Sequence, residues 1–252
     1  MTERALSFGS VAAAYERFRP GYPAELVEKV LDYAGAPVVD ALEIGAGTGK
    51  MTRVFAARGI AVTATDPDPA MLAELREHVP ADVVTREGAL EDLRPDRQYG
   101  LVYSAAALHW TEPAGRWPRI AALLAPGGVF ASFGGPVEPA DPAVRKAIEE
   151  AQAPFLETAQ FPSPDGTPPE NELQWPGTEL EQSELFADVR QVVVQQRMTL
   201  SADELVGLLS TVSAYLILPT SVREQVFRRI RRVVPDTIEL VSDHTAHLAR
   251  RC

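Results

Sequence analysis

Apolar positions along this chain follow two periods that take turns. Residues 38–44 (Val-Val-Asp-Ala-Leu-Glu-Ile) form a mostly apolar run rich in β-branched side chains, which predicts a buried strand. Residues 50–58 then place Met51, Val54, Phe55 and Ala57 at helical spacing. The same change of period recurs downstream. A strand is expected over 60–65 ending at Asp66, a helix over 69–78 with Ala70, Met71 and Leu75 inward, and a strand over 82–85. A loop or short helix at 88–93 leads to a strand over 99–104, and a helix over 116–124 halts at Ala125-Pro126-Gly127-Gly128 before a strand over 129–133. Strand and helix thus alternate five times in about 100 residues, the signature of a parallel sheet covered on both faces.

Two helices precede this array. Val11, Ala12, Ala14, Tyr15 and Phe18 share one stripe, which Arg19-Pro20-Gly21-Tyr22-Pro23 ends; residues 24–33 carry Leu26, Val27, Val30 and Leu31 on one face behind Pro23. After Gly134 the alternation stops. Residues 136–184 are irregular and proline-rich, with one helix plausible over 142–157, and Phe155, Phe161 and Trp175 argue against simple disorder. A strand over 189–195 follows, then a helix over 202–213 capped by Ser201, a helix over 221–233, and a strand over 237–248 expected to close the sheet. The expected organisation is a core over 1–135, a cap or substrate-binding insertion over 136–184, and completion of the sheet with acceptor-side helices over 185–252.

The turn after the first strand carries the chemistry. Glu43-Ile44-Gly45-Ala46-Gly47-Thr48-Gly49 sets three glycines after an acid, where a ligand lying on the backbone, or a positive φ, excludes a β-carbon. A dinucleotide fingerprint needs a glycine where Lys50 stands. A phosphate loop is one residue short and has Met51 in place of the magnesium-holding hydroxyl. Ligands of parallel sheets sit above the strands' carboxyl ends, and Glu43, Asp66, the Gly88 region and Ser104 all fall there.

Charge narrows the partners. A net charge of −11 disfavours nucleic acid, and the one basic cluster, Arg228, Arg229, Arg231 and Arg232, reads as a solvated helix face. Cys252 is the only cysteine, so intramolecular disulfides and cysteine-based metal clusters are excluded. His78, His244 and His247 show no metal-ligand spacing; His244 and His247 would face opposite sides of a strand. No metal and no membrane segment are expected, and the expected compartment is the cytoplasm.

Six motifs occur together: Ala14-Tyr15 with Arg19-Pro20-Gly21-Tyr22-Pro23, Glu43 to Gly49, Asp66-Pro67, Gly88-Ala89-Leu90-Glu91, Ala107-Leu108-His109-Trp110, and Leu124 to Gly128. In this order the chain resembles the class I S-adenosylmethionine-dependent methyltransferases of the type 11 group, and is similar to bacterial enzymes related to trans-aconitate methyltransferase. The resemblance covers 8–135 well and 185–250 loosely. It implies a doubly wound α/β fold with a mostly parallel seven-stranded sheet and a helical or irregular cap.

It also implies roles. Glu43, Gly45, Ala46 and Gly47 would receive the methionine part of S-adenosylmethionine, Asp66 the ribose hydroxyls, and Pro67 and Met71 the adenine faces. Gly88, Ala89 and Leu90 would meet the adenine edge, although many relatives carry Asp where Ala89 stands. Ser104 and Ala105 would end the fourth strand beside the ligand, Tyr15 and Arg19 would close over it, and His109 is the candidate acid or base. A small-molecule acceptor would bind between Ser104–Trp110, 136–184 and the helices over 201–233. There Leu205, Leu208, Leu209, Val212, Tyr215 and Leu216 form an apolar wall or simply core. Alternatives are a same-fold protein using the cofactor for other chemistry, a nicotinamide-dependent reductase, or an interaction protein contacting partners through 154–183.

Overall fold

The structure, a computed structural model, describes residues 8–156 and 163–252. The expected helix end at Glu157, together with Phe161 and Pro162, lies outside the described residues. The chain runs α1 (Ala12–Phe18), α2 (Ala24–Ala34), β1 (Asp40–Ile44), α3 (Thr52–Ala56), β2 (Ala61–Asp66), α4 (Pro69–His78) and β3 (Val84–Glu87). It continues through β4 (Tyr99–Ala105), α5 (Arg116–Leu123), β5 (Leu124–Gly134), β6 (Val137–Pro139), α6 (Pro142–Gln152) and α7 (Gly177–Glu181). The last elements are β7 (Phe186–Ser201), α8 (Ala202–Leu209), α9 (Ser213–Leu216), α10 (Thr220–Val233) and β8 (Thr237–Arg251).

β1 to β5 are parallel in the order β3-β2-β1-β4-β5, and β8 joins β5 antiparallel. This is the expected α/β sheet of seven strands, with the short β6 as an eighth. The chain's last strand does not lie at the edge. β5 and β6 share one edge of β8, and β7 runs along the other, from Phe186 opposite Arg251 to Ser201 opposite Thr237. The strand order reverses between β1 and β4, so ligands are expected above Ile44 and Ala105.

One face of the sheet packs Leu26, Val27 and Val30 of α2 and Phe55 of α3 against Leu101, Tyr103, Phe133 and Leu248. The other packs Ile120 of α5 and Leu180 of α7 against Leu42, Val102 and Phe130. The β7–β8 ribbon extends past the sheet, where Met198, Leu200, Ile238 and Leu240 pack with α6, α8 and α10 in a separate cluster. Leu205, Leu208 and Tyr215 are buried there, with Leu209 and Val212 packed against them, so that stripe is core rather than a ligand wall.

Local chemistry explains two boundary shifts. α8 stops at Leu209 rather than 213 because the Ser210 and Thr211 hydroxyls bond back to Gly207 and Leu208 carbonyls, and Val212 turns extended. β5 begins at Leu124, with Ala125–Gly128 looping out between the Tyr99–Leu124 and Leu101–Val129 pairs. No helix among the described residues is long and apolar enough to cross a membrane.

Phe55 has no exposed surface, and its ring lies 4.3 Å from Tyr103 and 6.2 Å from Phe133. Phe55→Ala is expected to cost about 3–5 kcal/mol in denaturant unfolding. Val39→Ala, at a position 70% exposed, should stay within about 0.5 kcal/mol.

Candidate functional site

The glycine turn reverses direction through left-handed backbone, with φ of 68° at Gly45, 56° at Gly47 and 83° at Gly49. At Gly45 a β-carbon would also come within 2.4 Å of the Ala107 β-carbon, so the turn must stay bare for β4's exit to cross it. Asp66, 8% exposed at the end of β2, holds the turn down. Its Oδ2 accepts the Gly47 N–H and its Oδ1 the Asp68 N–H, each at 2.9 Å. The helix cap beside it is Asp68, which accepts the Ala70 N–H, so Asp66 is not spent on capping. Burial raises the Asp66 carboxyl to about 6.

Glu43 is 1% exposed beneath the turn. Its Oε2 accepts Thr52 Oγ1 at 2.5 Å and the Tyr103 hydroxyl at 3.0 Å, while Oε1 is buried without a partner among the described residues. Burial, with only partial relief from those two donors, pushes its carboxyl up to about 8. An unpaired buried carboxyl oxygen is expensive unless something cationic completes it.

The N-terminal helix is clamped over the turn by a residue that the sequence did not single out. Glu16 of α1 accepts Thr48 Oγ1 at 2.7 Å and pairs with Arg53 at 3.0 Å; Lys50 Nζ lies 2.7 Å from the Glu16 carbonyl and 3.4 Å from its carboxylate. Lys50, where a dinucleotide loop would need glycine, is therefore a fastener for α1. This brings Tyr15 and Arg19 to the opening. The Arg19 guanidinium lies over the Tyr15 ring, and it donates to Thr211 Oγ1 (2.8 Å) and Thr211 O (3.2 Å) in the α8–α9 turn.

Two cavities meet at this point and share Tyr15, Gly45, Gly47, Ala105 and Ala106 in their walls. The first, of about 710 Å³, is lined by Asp66, Pro67, Met71, Ala89, Leu90 and Trp110. The second, of about 690 Å³, is lined by Arg19, Glu43, Ala46, Lys50, Gly135 and His244. Ala106, a non-glycine residue at φ 53°, sits between them with its N–H bonded to the Phe133 carbonyl at 2.8 Å. Such strain at a strand end marks functional positions, and no sequence signal announces it.

Most of the expected site residues therefore converge: Tyr15, Arg19, Glu43, Gly45, Ala46, Gly47, Asp66, Pro67, Met71, Ala89, Leu90 and Ala105 all line the paired cavities. Three do not. The Ser104 hydroxyl is fully buried and bonds the Ile44 carbonyl at 3.0 Å, tying β4 to β1. Gly88 holds the chain at φ 150° and bonds the Asp66 carbonyl, one residue short of the wall. His109 is exposed on the Leu108–Trp110 turn with its ring 4.6 Å from Trp110, and Trp110 rather than His109 reaches the cavity. Arg116 fixes that turn: 2% exposed, it donates to Thr111 Oγ1 and Thr111 O and pairs with Glu179 of α7 at 3.2 Å. No group of three metal-ligating side chains occurs among the described residues.

Known proteins match this chain. The profile of a family described as a methyltransferase domain matches residues 42–132. An uncharacterised methyltransferase of Mycobacterium bovis is 32% identical over 232 residues, covering 92% of this chain and 87% of that protein. A trans-aconitate 2-methyltransferase of Delftia acidovorans is 39% identical over 127 residues, 47% of this chain and 44% of its own length. The solved structure of a Geobacter sulfurreducens S-adenosylmethionine-dependent methyltransferase, in complex with S-adenosyl-L-homocysteine, superposes with a TM-score of 0.55. It is 16% identical and covers 100% of this chain and 99% of that one.

The raised carboxyls set a pH dependence. An acid whose folded pKa lies above its unfolded value stabilises the fold fully below the unfolded pKa and loses that contribution as pH rises through the folded one. For Glu43 the window runs from about 4.3 in the unfolded chain to about 8 in the folded one; for Asp66 it closes near 6. The ligand-free protein should therefore lose on the order of 5 kcal/mol between pH 5 and 9, most of it from Glu43. In Glu43→Gln the part of that loss above pH 6 should be absent from thermal unfolding curves.

Proposed function

Because the chain belongs to the S-adenosylmethionine-dependent methyltransferases, we propose that its paired cavities hold the donor in two parts and present its methyl group to a small-molecule acceptor. The observation that carries this reading is the placing of two buried carboxyls on either side of one bare glycine turn. Asp66 lines the first cavity, and Glu43, which has one buried oxygen without a partner among the described residues, lines the second. That donor set fits the group. A carboxylate accepts paired ribose hydroxyls well, and a buried unpaired carboxyl oxygen suits an ammonium, where a pyrophosphate would be repelled.

The remaining roles follow from position. Pro67, Met71 and Leu90 give the adenine apolar faces, and Ala89 supplies only backbone and a small side chain at its edge. Asp92 accepts the Ala89 N–H through its side chain and donates its own N–H to the Ala89 carbonyl, each at 3.0 Å, so both backbone groups of Ala89 are already paired and the contact with the base edge is one of shape. Thr211 already takes the Nε and Nη2 edge of Arg19, which leaves its remaining N–H groups for a carboxylate, and Tyr15 covers the junction of the cavities. When bound, S-adenosylmethionine supplies an electrophilic methyl on a good leaving group, so the residues' work is alignment and exclusion of water. Tyr15, Ala105 and Ala106 wall the junction so that an acceptor oxygen, nitrogen or carboxylate can approach in line. The trans-aconitate relative makes a carboxylate acceptor one option. The cytoplasm suits a chain whose single cysteine can form no intramolecular disulfide.

Calorimetric titration with S-adenosylhomocysteine tests the reading. Wild type should bind at micromolar concentration, and Asp66→Ala should weaken binding tenfold or more, about 1.4 kcal/mol. No binding to wild type would overturn the proposal; equal binding by both would remove Asp66 from the ribose. A second outcome follows from Glu43. An ammonium beside it favours its ionised form and lowers its pKa from about 8. Binding near pH 7 should therefore release a fraction of a proton, read from the dependence of binding heat on buffer ionisation enthalpy, and Glu43→Gln should abolish that release.

A further inference from the structure

His244 lies in the wall of the second cavity, and none of the roles proposed above uses it. It precedes Thr245, which pairs with Gly134 at the end of β5. The two chains press together there: a β-carbon at Gly135 would lie 2.1 Å from the Asp243 carbonyl oxygen and 3.4 Å from the His244 Cα. Gly134 and Gly135 thus present bare backbone in the same cavity wall as His244, a shelf without side chains. The His244 ring is 5.4 Å from that of Tyr22, which lines the same cavity with Ala105 and Ala106.

The hydrogen bond to this ring selects its tautomer. Nε2 lies 2.9 Å from Oε1 of Gln196 on β7, and a carboxamide oxygen only accepts. With the Gln196 oxygen on this side, Nε2 carries the proton and Nδ1 is the basic nitrogen. His244 is 5% exposed, and burial holds it below its ordinary pKa despite the opposing charge of Asp243. The groups facing it are Gln196 from β7, Tyr22 from the α1–α2 connection, and Tyr15, Arg19, Glu43 and Lys50 across the cavity. A neutral, oriented imidazole in a cavity that also touches the glycine turn is a ready proton acceptor.

We infer that His244 is the general base for a phenolic hydroxyl acceptor seated on the Gly134–Gly135 shelf beside Tyr22. The inference rests on the donor site proposed for the same cavities. A carboxylate acceptor has no proton to give up and would leave this base without work. A phenol, near pKa 10, gives up its proton to an imidazole more readily than an aliphatic alcohol does. Tyr15 and Tyr22 offer an aromatic acceptor ring faces to pack on. In the step, the hydroxyl proton moves to Nδ1 as an oxygen lone pair forms the O–CH3 bond. The methyl carbon–sulfur bond breaks and its electron pair returns to sulfur. The positive charge passes from sulfonium to imidazolium, which then releases its proton to water. The products are a methyl ether and S-adenosylhomocysteine.

The test uses wild type, His244→Gln and Gln196→Glu. All three should bind S-adenosylhomocysteine within about threefold of one another. Nitrogen-15 NMR of the wild-type complex should show a His244 Nδ1 without a proton at pH 7. With catechol and 4-hydroxybenzoate as acceptor probes, His244→Gln should lower kcat at least about a hundredfold. The wild-type kcat should fall on an acid limb below pH 6.5. Gln196→Glu, which sets a carboxylate on Nε2–H, should raise that limb by about one pH unit, a shift that a merely structural histidine would not give. Three results in a wild type that binds S-adenosylhomocysteine would each overturn the assignment. They are no transfer to either phenol, transfer to trans-aconitate at equal kcat with and without His244, and an acid limb unmoved in Gln196→Glu. A wild type that does not bind S-adenosylhomocysteine would overturn the donor site as well.

Discussion

The Asp66 carboxylate, with one oxygen on the Gly47 N–H and the other on the Asp68 N–H, is the contact from which the rest of the site takes its shape. It joins the turn after β1 to the turn after β2, at the side of the sheet where both strands end. Because its two oxygens hold backbone donors, the carboxylate is oriented before any ligand arrives, and its remaining lone pairs face the first cavity. Further strand-end bonds extend the same ring: Ala46 N–H to Thr65 O, Gly88 N–H to Asp66 O, and Ala106 N–H to Phe133 O. A parallel sheet leaves these groups unpaired at its carboxyl edge, and each loop satisfies its neighbour's.

On that floor the N-terminal helix is secured by charge as well as by Phe18, whose ring packs against Gly207 and the apolar cluster of α6, α8 and α10. α1 buries only Ala12, yet Glu16 collects Thr48, Lys50 and Arg53 from the turn beneath it. The same helix carries Tyr15 and ends at Arg19. Arg19 reaches on to Thr211 in the α8–α9 turn, so the helix is also fastened to the cluster of α6, α8 and α10. The opening of the cavities therefore lies between two bodies with separate cores. This is the arrangement expected where a ligand must enter and then be shielded from water.

The two buried carboxyls play different parts although both are raised by desolvation. Asp66 is relieved by two backbone N–H groups and sits near 6, whereas Glu43 has two hydroxyl donors on one oxygen, none on the other, and sits near 8. Near neutral pH the first is largely charged and the second largely protonated. The energetic cost of an unpaired polar atom is thus concentrated at Glu43.

Much of this was legible from residues alone. The period of apolar positions gives the order of strands and helices through residue 134, because parallel strands buried on both faces must be apolar runs. The acid-x-G-x-G-x-G turn and the placing of Asp66 at a strand end give the cavity floor, because no other residue types satisfy those backbone demands. What the sequence alone determined is therefore the sheet's first five strands and the residues at their ends. Only the tertiary structure decided which groups beyond those ends turn inward. Trp110 and His244 line the cavities from distant parts of the chain, and Glu16 clamps the glycine turn beside them, all through long-range contacts that leave no local pattern. Ser104 and His109 fall at the right place in the chain, yet one is turned to Ile44 and the other to the surface. Side-chain direction past a strand end is set by tertiary contacts, here the Ser104 bond to the Ile44 carbonyl and the Arg116 bonds to Thr111, and not by the residue's own spacing.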